Sequence, residues 1–304
     1  MHVANEVSRR QAMQDAPTYW WDRQNVWSQA ATKLKVKIQR ARRFLLALAV
    51  VAAITGTASA QMEIWRNDSG RYAAFAAAVA AGLTPLAGRG SRPSLIRDWT
   101  RIRSVSEAIK AEVLTYLAHV SPYRENSAAE NLWDRCSRFE QEAADLMGHA
   151  IGILPKERQL PPVGDVDTYC ERRIQGQIRD YYRPQTLNMK RRENAVHYVA
   201  SFFAIAATVL AGVSGALGIE HAAVWVATAA TMGTAVIAYG TAARYSYQYL
   251  EYSRTADELQ RLLAGRQLVG GAASHHEDDR FVAQCERIIS AQNEAWMTSW
   301  KSEE

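Results

Sequence analysis

Two basic clusters are the first candidates for chemistry: Lys33, Lys35, Lys37 and Arg40 ahead of one apolar run, and Arg97, Arg101 and Arg103 behind the next. Ammonium and guanidinium groups in such clusters suit anionic partners, because they hold phosphate oxygens as point charges or as planar forks. Aromatic residues accompany them. Trp20, Trp21, Trp27 and Trp99 flank the first pair of apolar runs, and Tyr245, Tyr249 and Tyr252 recur at helical spacing after the last. Two chemistries fit this pairing. Rings and cations anchor helices at the surface of an anionic bilayer, or rings stack on bases while cations hold phosphates. The residue types leave both open.

The other constellations point away from catalysis. His275-His276-Glu277-Asp278-Asp279 has metal-ligand residue types, but consecutive ligands at a helix start converge poorly. Acids in a first helical turn also suit the helix dipole. Gly212-Val213-Ser214-Gly215-Ala216-Leu217-Gly218 resembles a phosphate loop only superficially: no strand precedes it and no Lys-Ser/Thr closes it. Cys136, Cys170 and Cys285 are far apart, without CxxC or metal spacing, so packed and reduced cytosolic thiols are expected. No enzyme, metal site or cofactor is expected.

These residues are placed by four uncharged stretches, Phe44–Ala60, Tyr72–Gly88, Ala195–Ile219 and Ala222–Ala243. A span needs roughly 20 apolar residues, with a range of about 17–25. The second pair meets this with room to spare. The first pair is marginal, each run being 17 residues, and the second run contains Pro85. Lys33 to Arg43 precede the first run, Arg89 to Arg103 follow the second, Lys190-Arg191-Arg192 precede the third, and Arg244 and Arg254 follow the fourth. Between the first two, Glu63, Arg66, Asp68 and Arg71 cancel. By the positive-inside rule both hairpins turn outside, and the N-terminus, middle and C-terminus share the cytoplasmic side. The fold class expected is therefore an all-α membrane protein: four transmembrane helices in two hairpins, with long cytoplasmic helices.

Ala58-Ser59-Ala60 after an apolar run also looks like an export-signal cleavage site. The run starts at residue 44, however, behind an aromatic lead-in, whereas a signal peptide is spent within its first 15–30 residues. A retained first span is expected.

The spans hold no Asp, Glu, Lys or Arg, which counts against ion-coupled transport. On the fourth, Thr231, Thr234, Ala238 and Thr241 share one face, and Ala229, Gly233 and Gly240 another. The first face reads either as a mildly polar pore lining or as hydroxyls satisfied by their own helix. Ala204, Thr208, Gly212 and Gly215 make a small-residue seam on the third span, suited to close packing.

The order of parts repeats. YWWDRQ (residues 19–24) and DYYRPQ (residues 180–185) each lead into a hairpin, a long helix and a closing helix. In the first long helix Ile102, Val105, Ile109, Val113, Leu114 and Leu117 form an apolar stripe. Ser274 and Glu277 fit a capping box opening the last helix, and Gly265 fits the end of the helix before it. The Pro/Gly-rich stretch 154–164 is the expected boundary between units 1–154 and 155–304.

The two lead-ins, the basic step into each hairpin and the closing helix FVAQCERIISAQNEAW (residues 281–296) are what make the chain resemble the SLATT family, as a tandem of two units. That resemblance implies a bacterial anti-phage effector, closed until infection. It would be a homo-oligomer, for instance a tetramer, that depolarises or permeabilises the inner membrane. Its control would come from a nucleotide or oligonucleotide made by a cognate nucleotidyltransferase or reported by a sensor protein. A non-conducting membrane scaffold recruiting such a partner is the alternative.

Overall fold

The computed structural model describes residues 15–64, 69–269 and 274–301; Arg66, Asp68 and the Gly270-Gly271 break lie outside them. The described residues contain helices and no strand. Helix α1 (Ala16–Ile64) carries Pro17 in its first turn, where the missing N–H costs nothing. Helix α2 (Ser69–Gly88) follows, then α3 (Pro93–Leu117), which opens on a proline; Arg92 before it is extended, as a residue preceding proline prefers. Helix α4 (Ala128–Glu142) closes the first half.

The Pro/Gly-rich stretch before Asp165 is irregular, and Asp165 ends it as the cap of α5 (Val166–Leu217). The Asp165 carboxylate accepts from the Thr168 amide at 2.7 Å, and the Thr168 hydroxyl accepts from the Asp165 amide at 3.1 Å. Two stretches of α5, Cys170–Gln175 and Gln177–Tyr182, are wound wider, with i→i+5 bonding, just ahead of Pro184. Helix α6 (Glu220–Ala243) ends where Arg244 takes up a left-handed conformation, φ 51° and ψ 45°. The Gln248 side-chain Nε2 donates to the Ala243 carbonyl at 2.7 Å and satisfies one of the carbonyls exposed by that break.

Helix α7 (Tyr245–Val269) runs through Gly265 rather than stopping there. Arg266 is the physical reason: it pairs with Asp278 at 2.7 Å and lies over the Phe281 ring, so the next turn has tertiary contacts of its own. Helix α8 (His275–Lys301) opens on the capping box read from the sequence. Glu277 accepts from the Ser274 amide at 2.7 Å, and the Glu277 amide donates to the Ser274 hydroxyl at 3.3 Å.

Contacts divide the chain into two compact units, each drawn from both halves of the sequence. Unit 1 is Met1–Lys35, Pro93–Gln185 and Glu251–Glu304; unit 2 is Val36–Arg92 and Thr186–Leu250. In unit 1, α3 is the central helix and packs against both α4 and α8. Ile102, Ile109 and Val113 of the predicted stripe are fully buried, with Leu132 and Cys136 of α4 and Val282 and Cys285 of α8. All three cysteines are free and buried.

Unit 2 is packed the other way round. Its buried residues are mostly small: Ala80, Ala200, Thr228, Ala229, Ala243, and Leu48 and Val236 among them. Its large apolar side chains point out. Tyr72 is 77 % exposed, Phe75 70 %, Phe202 65 % and Ile205 64 %. Gly233 and Gly240 of α6 face α5: a Cβ on Gly240 would lie 2.6 Å from Val196 Cγ1, and one on Gly233 3.3 Å from Phe203 Cβ. The Thr57 and Thr228 hydroxyls are hydrogen-bonded, joining α1 to α6 within the unit. The seam expected on the third span is not the packing face. Ala204, Thr208, Gly212 and Gly215 are exposed, and α5 meets α6 through Val196, Ala200 and Phe203 instead.

Among the described residues, three helices are long and apolar enough to cross a membrane: Ala16–Gln61, Val166–Leu217 and Ala222–Leu268. The expected second span, Tyr72–Gly88, is helical but is not one of them. Its uncharged run is as long as the first but less apolar, with only Val79, Leu83 and Leu86 as large aliphatic residues where the first has Leu45, Leu46, Leu48, Val50, Val51 and Ile54. Any longer window takes in Arg71 or Arg89.

Candidate ligand cavity

The face of α3 carrying Trp99, Arg103, Glu107 and Lys110 advances in steps of four, four and three residues, so all four project from one side of the helix. In unit 1 that side lines a cavity of about 270 Å³, completed by Lys35 of α1 and by Tyr181 and Tyr182 of α5. Three cations and three aromatic rings thus surround one carboxylate. The volume falls just below the range of about 300–1,000 Å³ usual for small-ligand pockets.

The cations are held in different ways. Arg103 donates to the Tyr181 hydroxyl at 2.7 Å and stands 5.9 Å from that ring. Tyr181 in turn is edge-on to Tyr252, with centroids 5.7 Å apart. Burial pushes the Tyr181 phenol up, but the Arg103 charge, the Tyr252 hydroxyl and Lys35 outweigh it, and the net shift is downward. Lys35 lies 6.0 Å from the Trp99 ring centre. Lys110 makes no hydrogen bond among the described residues. Burial pulls its ammonium below the ordinary lysine value, helped by Arg173 and Arg158 and opposed by Glu107 and Glu286. Burial likewise opposes the Glu107 charge, yet Lys110, Arg173 and Arg103 hold its carboxyl below the usual range.

Behind Glu107 lies a buried, bidentate ion pair. Arg173 donates from Nε and Nη2 to the two oxygens of Glu286, at 3.0 and 2.9 Å, and the Tyr169 hydroxyl donates to Glu286 at 2.7 Å. Arg173 is 2 % exposed.

Of the residues singled out from sequence, the cavity gathers Lys35, Arg103 and Trp99, with Tyr252 one ring removed through Tyr181. It does not gather the rest. Lys33, Lys37, Arg40 and Arg97 are exposed elsewhere. Arg101 is committed to a bidentate pair with Asp145 at 2.6 and 2.9 Å. Trp20, Trp21 and Trp27 are core residues and present no free ring face to solvent. Trp20 packs edge-on against Trp133, Trp21 carries the Arg158 guanidinium 3.9 Å above its ring, and the Trp27 indole donates to Glu140 at 2.6 Å. Tyr245 and Tyr249 belong to unit 2, beside Arg192 and Lys190. The sequence reading overlooked Glu107, Lys110, Tyr181 and Tyr182. The stripe beginning at Trp99 was the available signal, hidden because charged residues opposite an apolar stripe normally face water.

The Thr231, Thr234, Ala238 and Thr241 face is exposed in the single chain. Thr231 and Thr234 donate to the carbonyls of Ala227 and Ala230, at 2.8 and 3.0 Å. The His275–Asp279 run is dispersed: His275 meets Arg124, Glu277 caps α8, Asp278 holds Arg266 and Asp279 holds Arg124.

Residues 169–296 match the family model described as SMODS and SLOG-associating 2TM effector domain 1, SLATT_1. This part of the chain is similar to that family, over less than half of the chain's length. It contains the third and fourth apolar stretches, the two that satisfy the length of a span outright. Residues 25–131 match a second model, a family of proteins of unknown function (DUF4231), so the two matches lie in tandem. No curated protein and no solved structure matches the chain.

Proposed function

We propose that the chain is a membrane effector of a bacterial anti-phage defence system. In this reading it assembles as a homo-oligomer and acts as an ion channel or pore, opened or closed by a nucleotide-type ligand and depolarising the inner membrane when activated. The observation that carries the membrane role is the inverted packing of unit 2, with small residues inside and Phe75, Phe202 and Ile205 outside. A water-soluble unit would bury those rings; lipid makes their exposure favourable and leaves close packing to Gly and Ala. The SLATT match supports the effector role through its family description, and the cavity of Lys35, Arg103 and Lys110 with Trp99 and Tyr181 supports control by an anionic, ring-bearing ligand. A cognate nucleotidyltransferase or sensor supplies that signal in this reading, and no catalytic step is assigned to the chain itself.

The four-span topology with both termini cytoplasmic belongs to the same proposal. Single cysteines at Asn67 and at Gly218 would both react with an impermeant maleimide from the periplasmic side. Labelling at Gly218 alone would remove the first hairpin from the bilayer. Conduction is tested in liposomes carrying correctly inserted protein: ion flux under at least one candidate nucleotide is expected, and a tight bilayer under all of them refutes the channel. One observation favours the scaffold alternative. Thr231 and Thr234 spend their hydroxyls on their own helix and offer little polar lining as they stand. Expression without the partner, leaving membrane potential unchanged under every ligand, would select that reading.

A further inference from the structure

Glu107 is the one acid lining the cavity, and it also lines a second cavity of about 440 Å³ on its other side. Its carboxylate is surrounded by cations without being bonded to them. Arg173 Nη2 is 3.8 Å from Oε2, beyond hydrogen-bond range, and Oε2 is buried with no hydrogen-bond partner. On the other side of that gap, Arg173 Nη1 is also buried without a partner. Lys110 interacts with Glu107 only through its charge. Two other carboxylates of the unit are engaged by hydrogen bonds: Glu286 takes three, and Glu112 takes Arg135 and Tyr123. Glu107 Oε2 is therefore held by charge alone, the least directional of the available forces.

We propose that Glu107 is a tethered internal anion, and that a phosphate group entering the 270 Å³ cavity displaces its carboxylate from Lys110, Arg103 and Arg173. A phosphate offers more acceptor oxygens than the carboxylate it replaces and can give Lys110 the hydrogen bond it lacks. Trp99 and the tyrosines supply ring surface for whatever the phosphate is attached to. The size of the cavity fits a phosphomonoester of mononucleotide scale and not an extended oligonucleotide. The inference rests on the ligand-controlled reading above for the purpose of the cavity, and it requires nothing of conduction.

Equilibrium dialysis of the full chain in detergent tests it, with AMP, inorganic phosphate and adenosine as probes. AMP binds, phosphate competes with it, and adenosine binds at least tenfold more weakly. Glu107→Gln removes the internal competitor's charge and tightens AMP binding by about tenfold; Lys110→Met weakens it by a similar factor. Glu107→Asp, which keeps the charge but draws it back by one methylene, tightens binding by less and serves if the Gln variant does not fold. Equal affinity for AMP and adenosine overturns the proposal, as does unchanged or weaker AMP binding in folded Glu107→Gln or Glu107→Asp. The two readings fail separately. A Glu107-dependent AMP site in a chain that never conducts sinks only the gating role, and conduction without any AMP site sinks only this inference.

Discussion

Arg173→Met removes one partner of the buried pair that joins α5 to α8. Arg173 is 2 % exposed and the Glu286 side chain 12 %, so the carboxylate left behind cannot turn to water without opening the interface. It keeps only the Tyr169 hydroxyl of its three donors. Breaking such a pair costs about 3–5 kcal/mol. At 1.36 kcal/mol per factor of ten, that is a rise of about 10² to 10⁴ in the population of the locally opened form. Cys285 is the natural reporter, because it is fully buried, adjacent to Glu286, and its thiol is pushed well up by burial. Its labelling rate by a small thiol reagent should rise by that factor, in detergent and under conditions where closing outpaces labelling. Cys136, fully buried on α4, is the internal reference and should rise less. The triple variant Arg173→Met, Glu286→Leu, Tyr169→Phe replaces the whole network with apolar groups and leaves no orphaned hydroxyl. It should bring labelling back to within about tenfold of the parent, since apolar replacement of a whole buried network is often neutral or better. A change below threefold in the single variant, or a triple variant no more protected than the single, would refute the account of this network.

The other predictions concern unit 2 and the ends of helices. Gly240→Ala forces a Cβ to within 2.6 Å of a stiff, β-branched Val196; overpacking of about 1–3 kcal/mol exceeds the helix-propensity gain of about 1 kcal/mol. The variant should melt lower in detergent by circular dichroism, and Val196→Ala should rescue it. Arg244→Gly relieves a left-handed residue and should raise stability by about 1 kcal/mol in the same assay. Ser274→Ala should cost about 1 kcal/mol, read as lost amide-exchange protection in the first turn of α8. The same turn should loosen in acid. The Glu277 carboxyl is held down by the hydrogen bond from the Ser274 amide, and Asp279 is held down, against burial, by Arg124. Their stabilisation is present above the ordinary carboxylate values and is lost as pH falls through the lowered folded ones.

Local rules were easy to read from the chain because they are written in neighbouring residues. The Ser274–Glu277 box and the apolar stripe of α3 each depend on spacings of three or four residues, and both appear as read. Gly265 misled because a helix end there was a local expectation, whereas Arg266 answers to Asp278, a partner set by tertiary packing. The tryptophans misled for a related reason. Trp20, Trp21 and Trp27 lie in a basic, amphipathic lead-in that suits a membrane surface, but Trp27 and Trp21, whose indole N–H groups find Glu140 and the Gln159 carbonyl, make equally good core residues, and Trp20 is buried against Trp133 with its N–H unpaired. Sequence order alone does not say which.

The cavity was half legible for a topological reason. Its cations come from α1 and α3, in the first half of the chain, and its tyrosines from the DYYRPQ lead-in of the second. The two lead-ins look alike in sequence and do different work. YWWDRQ contributes Trp20 and Trp21 to the core, and DYYRPQ presents Tyr181 to Arg103 and Tyr182 to the cavity wall. Had the halves folded as independent copies, each lead-in would meet its own long helix in the same way. Instead the first long helix, α3, packs against the closing helices of both halves, α4 and α8. A ligand bound among Lys35, Lys110 and Tyr181 would therefore touch both halves at once. Changing Tyr181 in the second half should weaken binding as much as changing Lys110 in the first; binding indifferent to Tyr181→Ala would confine the site to the first half and undo this account of why the chain carries two.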